Sequence, residues 1–340
     1  MIENKNYIFI PPAGLINLSR KDQKKYKKYK NSNLYNTCYL NSSIQCLFRL
    51  EEFSNKISNC SGGKLVEATK NLIKDMKDEC KILSVSEIKE AMIEYDEKYG
   101  GVKPEDANEF ISDYLNALLE ETRIKDNNIN NEIKINNDCD ENFLHFLNRF
   151  YKDGKSFISD LFYGILRTEY KCKKCNFIFS IKYHSFNIID LPLINLKNKN
   201  NSFEMEDIIT NFISEKEVLN TKCKKCNNNT YIKTVFHKLP PYLILYFERN
   251  DTNYIKNDIN ILKKINFNYF LEKDESKNKC YNLKGIIYYS FLKDNKTHYS
   301  SGCLIEKKWY YFDDNDYNSS EEIIEYKGDY PIILFYEKKD

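Results

Sequence analysis

Two identical knuckles, Cys172-Lys-Lys-Cys175 and Cys223-Lys-Lys-Cys226, constrain this 340-residue chain more than any other feature. Two residues between thiols let both sulfurs of a knuckle face one ion, and two such pairs complete the four-thiolate tetrahedron that zinc prefers. Each knuckle lies between predicted strands, so the stretch from Cys175 to Cys223 must itself fold and bring two distant turns together. The set has no histidine or carboxylate and leaves no open coordination position, which points to a structural zinc and away from a catalytic one. The flanking lysines lower the thiol pKa values and offset the charge of the site. A redox role for Cys-x-x-Cys is weaker, because neither pair opens a helix in a βαβ setting.

The chain holds 11 cysteines in all. Met1–Pro12 has only a short apolar patch, Tyr7–Ile10, with no basic start and no long apolar run, so no secretory signal is evident. The thiols are therefore expected to be reduced, metal-bound or catalytic, in the cytosol or nucleus. No apolar run approaches the roughly 18 residues that cross a membrane. The net charge of +2 makes no global case for nucleic acid, membrane or acidic partners. With 27 Tyr and 21 Phe, the core is expected to be rich in aromatics.

Helical spacing dominates the first third. From Leu40 the apolar residues Leu40, Ile44, Leu47 and Phe48 form one stripe of a helix. Cys38 falls in its first turn, with Asn36 and Thr37 as capping residues, where free backbone N–H groups and the dipole stabilise a thiolate. The competing reading of Cys38 is a small buried apolar residue. A helical region spans Gly63–Lys81, and Ser84-Val-Ser-Glu87 is expected to be a capping box opening a helix with Val85, Ile88 and Met92 inward. Pro104–Phe110 starts the most regular helix, striped by Ala107, Phe110, Ile111, Tyr114, Leu115 and Leu118, with Asp106 and Glu109 placed where acids suit the dipole. Ser19–Ser32, dense in lysine, reads as a solvated lead-in. Arg123–Asn142, polar and Asn-rich, reads as a surface loop.

From Phe157 the pattern changes to short alternating or apolar runs. Strands are predicted at Gly164–Tyr170, Phe177–Phe186, Tyr231–Lys238, Tyr242–Glu248, Lys284–Tyr289, Tyr299–Ile305, Lys308–Phe312 and Pro331–Tyr336, with one helix around Phe203–Ile213. Helices first and strands after is an α+β distribution.

A nucleophilic Cys38 needs a base, and only 4 histidines exist. His145 lies in a helical stretch, and His184 and His237 lie in predicted strands. His298 instead ends a polar loop and opens a strand, and the next strand closes with Asp313 and Asp314. A hairpin from Thr297 to Asp314 brings either carboxylate within reach of the imidazole. Cysteine at a helix start, histidine on a distant hairpin and carboxylate one strand later form a papain-like arrangement.

These residues also resemble a family. Asn33-Leu-Tyr-Asn-Thr-Cys38-Tyr-Leu-Asn-Ser42 is similar to the Cys box of the ubiquitin-specific proteases, and Glu105-Asp-Ala-Asn-Glu-Phe110 to their second box. Leu161-Phe-Tyr-Gly164, the paired knuckles, Leu191-Pro-Leu193 and Leu239-Pro-Pro-Tyr-Leu-Ile-Leu245 follow the family's order. Tyr281–Ile287, His298-Tyr299, Trp309–Asp314 and Tyr330–Tyr336 resemble its His box and closing strand.

The resemblance implies a papain-like fold with a fingers–palm–thumb architecture. A lysine-rich lead-in would cover 1–30 and one catalytic domain 31–340, with a helical thumb over 31–150, zinc-tipped fingers within 151–250 and a β palm over 251–340. It implies Cys38 as nucleophile, His298 as base, Asp313 as the orienting carboxylate with Asp314 as helper, and Asn33 as an oxyanion-hole amide. Asp106 and Glu109 match positions that hold ubiquitin's basic C-terminal tail. The implied activity is hydrolysis after the C-terminal glycine of ubiquitin on conjugated proteins, by a monomer with one structural zinc and no organic cofactor.

Three positions depart from the pattern. Tyr35 replaces a glycine before the nucleophile, Pro104 and Glu105 replace paired glutamines, and Tyr289 replaces a histidine. No triad member is lost, so a slower or narrower enzyme remains compatible. The rivals are a non-catalytic ubiquitin-binding scaffold whose oxyanion loop Tyr35 has spoiled, and a zinc-ribbon nucleic-acid binder using the Ser19–Ser32 lysines, against which the near-neutral charge stands.

Overall fold

The computed structural model describes residues 10–17, 36–78, 82–101, 103–124, 141–152, 154–194, 196, 201–249, 255–271, 279–292 and 296–339. In chain order come helices α1 (Cys38–Phe48), α2 (Glu51–Asn59), α3 (Lys64–Asp78), α4 (Ser86–Tyr95), α5 (Ala107–Glu121), α6 (Glu141–Phe150) and α7 (Phe157–Phe162). Strands β1 (Gly164–Cys172), β2 (Ile178–Phe186), β3 (Ile189–Pro192) and β4 (Ser202–Glu204) precede helix α8 (Met205–Ile213). Then follow β5 (Lys216–Lys222), β6 (Asn229–Lys238), β7 (Tyr242–Glu248), β8 (Asp258–Asn260), β9 (Lys264–Asn266), β10 (Cys280–Phe291), β11 (Thr297–Ile305), β12 (Lys308–Asp313), β13 (Asp316–Ser320) and β14 (Asp329–Lys338). No described helix is long and apolar enough to cross a membrane.

The chain divides into two compact units, one made of Met1–Thr122, Ile244–Tyr246 and Leu283–Glu337, the other of Arg123–Leu243, Phe247–Asn282 and Lys338–Asp340. In the first, α1 is the central element. The expected single stripe understates it: all eleven of its residues are buried, because α2 and α5 pack on some of its sides and β11 and β12 on another. The sheet beneath runs β13-β12-β11-β10-β14. Helix α5 carries the predicted stripe inward, with Ala107, Phe110, Ile111, Tyr114, Leu115 and Leu118 all at 0% exposure. Asp106 caps it, its Oδ1 accepting from the backbone N–H groups of Asn108 (2.8 Å) and Glu109 (3.1 Å).

Two predicted caps form differently. The Ser84–Glu87 box does not close: helix α4 begins at Ser86, the Ser84 hydroxyl accepts from the Ser86 N–H at 3.2 Å, and Glu87 binds Asn71 instead. Thr37 precedes α1 but makes no side-chain cap; its hydroxyl donates to the Ile16 carbonyl at 3.1 Å. Tertiary partners outbid the local bond in both places.

Residues Ile10–Asn17, which the sequence places in the lead-in, are built into this unit. Ile10, Ala13, Leu15 and Ile16 are buried. The segment bridges to Leu83 through Ile16 N–H (2.9 Å) and accepts from Leu83 N–H at Gly14 (2.9 Å). Gln45 of α1 donates to Ala13 at 2.6 Å.

The second unit holds a sheet ordered β2-β1-β6-β5, two antiparallel hairpins joined through β1 and β6. Helix α6 packs on it through Phe146 against Ile165 and Tyr183, with Phe143, Leu147 and Phe150 alongside. His237 lies edge-on to Phe143 and Tyr183, at 4.7 and 5.1 Å between ring centres. The helix expected around Phe203–Ile213 loses its first turn to β4, which pairs in parallel with β8. Strands β3, β4, β5, β8, β9 and β13 are short or polar and carry no alternation that sequence periodicity detects; their partners supply the pairing.

Candidate active site

Cys38 is the first residue of α1 and is 3% exposed. His298 stands near the start of β11, which pairs with β12 so that Ser301 faces Phe312. That register puts Asp313, the last residue of β12, beside the imidazole: His298 Nε2 and Asp313 Oδ1 are 2.6 Å apart. With Nε2 engaged, Nδ1 is the nitrogen left for the thiol of Cys38, which lies close enough to act on the ring's pKa. Burial alone would lower the imidazole's pKa, but the Asp313 and Cys38 hydrogen bonds and the charges of Cys38 and Asp314 outweigh it and push His298 up to about 11. Its hydrogen bond to His298 holds Asp313 below the usual carboxylate range. This is a cysteine whose proton has somewhere to go and a histidine poised to remain charged.

Asp314 occupies a different environment. Its Oδ2 is 4.0 Å from His298 Nε2, and its side chain is 14% exposed against 57% for Asp313. Burial pushes its carboxyl up, while His298, Asn17 and Asn41 pull it back. Asn17 Nδ2 donates to Oδ2 and Asn41 Nδ2 to Oδ1, both at 2.8 Å. Asn17 Oδ1 in turn accepts the Thr37 N–H at 3.2 Å. An acceptor on one side and a donor on the other fix which way the amide points.

Asn17 thus ties the residue before Cys38 to the residue after Asp313. The Asp314 carbonyl also accepts Leu15 N–H at 2.8 Å. Gly14 is required beside this bond, since a Cβ there would lie 2.1 Å from the Asn315 carbonyl oxygen.

Neither Asn17 nor Asn41 was singled out from sequence. Asn41 lies one helical turn after Cys38. Asn17 carried no local signal: it begins one Asn-Leu dipeptide among several in the chain and lies far from Cys38 in sequence. Asn33, Tyr35 and the Ser19–Ser32 lysines lie outside the described residues, as does most of the Arg123–Asn142 stretch.

Asp106 and Glu109 are both engaged within the unit. Asp106 Oδ2 accepts from the Tyr299 hydroxyl at 3.1 Å, which joins α5 to the strand residue next to His298. Glu109 pairs with Lys98 at 2.7 Å, and Lys98 also binds Asp113 at 2.7 Å.

In the other unit the four knuckle cysteines converge, with their sulfurs all within 4.8 Å of one another. Cys172 and Cys226 are 3.4 Å apart, Cys175 and Cys226 3.6 Å, Cys175 and Cys223 3.7 Å. A tetrahedron of sulfurs about 2.3 Å from a central zinc has edges of about 3.8 Å, so the donor set fits that ion. The two turns are built alike. Cys172 C=O accepts Asn176 N–H at 3.0 Å and Cys223 C=O accepts Asn227 N–H at 2.8 Å. Asn176 and Asn227 take φ of 52° and 56°, a left-handed conformation that asparagine tolerates well. Asn228 donates through Nδ2 to Cys226 Sγ at 3.4 Å.

A family model described as ubiquitin carboxyl-terminal hydrolase matches residues 29–336. Ubiquitin carboxyl-terminal hydrolase Usp2 of Drosophila melanogaster is 24% identical over 94% of this chain and 36% of its own length. Ubiquitin carboxyl-terminal hydrolase 32 of Mus musculus is 26% identical over 48% of this chain and 11% of its own. The chain therefore spans about a third or less of these curated relatives. Among solved structures, the SAGA DUB module of Ubp8, Sgf11, Sus1 and Sgf73 bound to monoubiquitin superposes with a TM-score of 0.69 at 16% identity, covering 97% of this chain and 69% of that one. The same module bound to ubiquitin aldehyde gives 0.68 at 17% identity, covering 97% and 70%. By its mixed helix and sheet, its paired knuckles and the family match over nearly its whole length, this chain belongs to the ubiquitin carboxyl-terminal hydrolase family.

Proposed function

We propose that the chain is a thiol-dependent isopeptidase that hydrolyses the bond after the C-terminal glycine of ubiquitin on conjugated proteins. The observation that carries this is the Cys38, His298 and Asp313 constellation, with the imidazole held by Asp313 at 2.6 Å and raised in pKa by the neighbouring thiol of Cys38. Cys38 Sγ, having passed its proton to His298 Nδ1, attacks the scissile carbonyl. The imidazolium then protonates the departing lysine amine, a thioester forms, and water activated by the now neutral His298 hydrolyses it. Nδ2 of Asn17 has two protons, one committed to Asp314. We assign the second to the developing oxyanion, the role that the resemblance gave to Asn33. Asp314 orients that amide. Asp106 and Glu109 remain candidates for the basic tail of ubiquitin.

Cys172, Cys175, Cys223 and Cys226 would hold a structural zinc, whose chemistry is to lock two hairpin tips together. The catalytic body is read as starting by Ile10, with helical thumb, fingers and palm segments in the order the resemblance implies. A monomer in the reducing cytosol or nucleus suits its free thiols.

The test is a ubiquitin probe bearing a C-terminal electrophile, applied to the parent and to Cys38→Ala. A single adduct on the parent, absent from the variant, is expected. A folded parent that binds ubiquitin without forming the adduct is the scaffold outcome and overturns the proposal.

A further inference from the structure

Asp313 presents a difficulty. It orients the base yet is more than half exposed, so water competes for its carboxylate and its direction must be set by the strand that carries it. Two residues back on β12, on the same side of the pleat, stands Tyr311, 8% exposed. Its hydroxyl lies 2.5 Å from Asp329 Oδ2 and 2.8 Å from Ser300 Oγ. A phenol has one proton to give, and the shorter contact falls in the range of a hydroxyl donating to an ionised carboxylate. Ser300 then donates to Tyr311. Ser300 is two residues beyond His298 on β11, and Ser290, the β10 residue facing His298, is near enough to Asp329 to favour its ionised form.

We propose that Asp329 is a positioning residue for His298 and Asp313: through Tyr311 it anchors the end of β12 that presents Asp313, and through the Tyr311–Ser300 bond it braces β11, the strand that carries the imidazole. This rests on the proposed function, since it names what keeps that base in place. Through Tyr311 the carboxylate is tied to both β12 and β11. The titratable groups around His298 are Cys38 of α1, Asp313 of β12 and Asp314 in the turn after it. Those around Asp329 include Tyr311, Tyr288 of β10 and Asp313. Burial pushes the Asp329 carboxyl up, while the Tyr311 hydrogen bond and the charge of His298 pull it back, and the ionised carboxylate in turn favours the imidazolium.

The experiment uses Asp329→Asn, which keeps the shape and removes the charge, and Tyr311→Phe, which removes only the hydroxyl. His298 is titrated by NMR of labelled histidine in the Cys38→Ala background, where the thiol no longer contributes and no ubiquitin chemistry is involved. Asp329→Asn is expected to lower the His298 midpoint by about half a pH unit or more. In the active background both variants should lose kcat for a ubiquitin C-terminal amide by roughly tenfold with KM unchanged, and the double variant should be no worse than the poorer single one. A His298 midpoint unmoved within about 0.2 unit, or additive losses in the double variant, would overturn the proposal. If Asp329→Asn does not fold, Tyr311→Phe and Ser300→Ala carry the test. If no variant and no parent turns over substrate, the titration still decides the positioning claim and only the proposed activity falls.

Discussion

Replacing Asn17 by alanine tests the connection between the two halves of the site. The change removes an acceptor for Thr37 N–H (3.2 Å) and a donor to Asp314 Oδ2 (2.8 Å). A neutral hydrogen bond contributes about 1 kcal/mol and one to a charged group about 2 kcal/mol. With Asp314 only 14% exposed, water replaces the donor incompletely, so a loss of about 2–3 kcal/mol is expected. For a protein of 340 residues that lowers the melting temperature by roughly 3–4 °C. Loss of the oxyanion donor should separately cost about 10²- to 10³-fold in kcat. Calorimetry measures the first and steady-state hydrolysis the second, while Cys38 alkylation by a small electrophile should change little.

Asn17→Asp sharpens the same argument. It preserves the acceptor for Thr37 but sets a second carboxylate against Asp314, so one of the two must hold a proton in the fold. A folded carboxyl pKa raised above its unfolded value destabilises as pH rises through the unfolded range near 4 and costs nothing below it. The variant should therefore approach the parent's stability in acid and fall away from it toward neutrality. If Asn17→Ala melts within about 1 °C of the parent and turns over normally, the assignment of Asn17 is wrong. A loss on Asn33→Ala instead would restore the choice that the resemblance implies.

Gly14→Ala should be among the most damaging single changes, because its Cβ would meet backbone at 2.1 Å and part the strap formed by Ile10–Asn17 from the β12–β13 turn. A loss above about 3 kcal/mol by denaturant titration is expected. Asp106→Ala removes the α5 cap and the Tyr299 bond together and should cost about 2 kcal/mol. The His298–Asp313 pair should show in the pH dependence of stability. His298, raised from 6.5 to about 11, stabilises fully below 6.5 and loses its contribution as pH rises through 11, and Asp313, lowered from 3.8, loses its contribution as pH falls below that value. The stability gap between the parent and a His298→Ala, Asp313→Ala double variant is thus expected to be widest between about 4 and 6.5 and to narrow on either side. Removing zinc with a chelator should free four thiols to a colourimetric reagent and expose the β1–β2 and β5–β6 tips to protease; tips equally protected after metal loss would contradict the structural role.

From the sequence alone, periodicity placed the central helix, α5 and the principal strands within a few residues, because each buries a regular apolar face whose spacing survives in one dimension. The Cys38, His298 and Asp313 set and the four knuckle cysteines were legible for another reason: those residue types are scarce or tightly spaced, so chemistry narrows the choice. The short strands β3, β8, β9 and β13 were not legible, since a few residues paired to a neighbour need no pattern of their own. Nor was the strap. Asn17 is 21 residues from Cys38 in the chain, and only tertiary packing of Ile10, Ala13, Leu15 and Ile16 beside α1 brings its amide between Thr37 and Asp314. The same holds for Tyr311 and Asp329, which are 18 residues apart along the chain. Sequence named the groups that converge at the candidate site; the folded sheet and strap decided which neighbours hold them, because hydrogen bonds across strands depend on register and burial that no local pattern encodes.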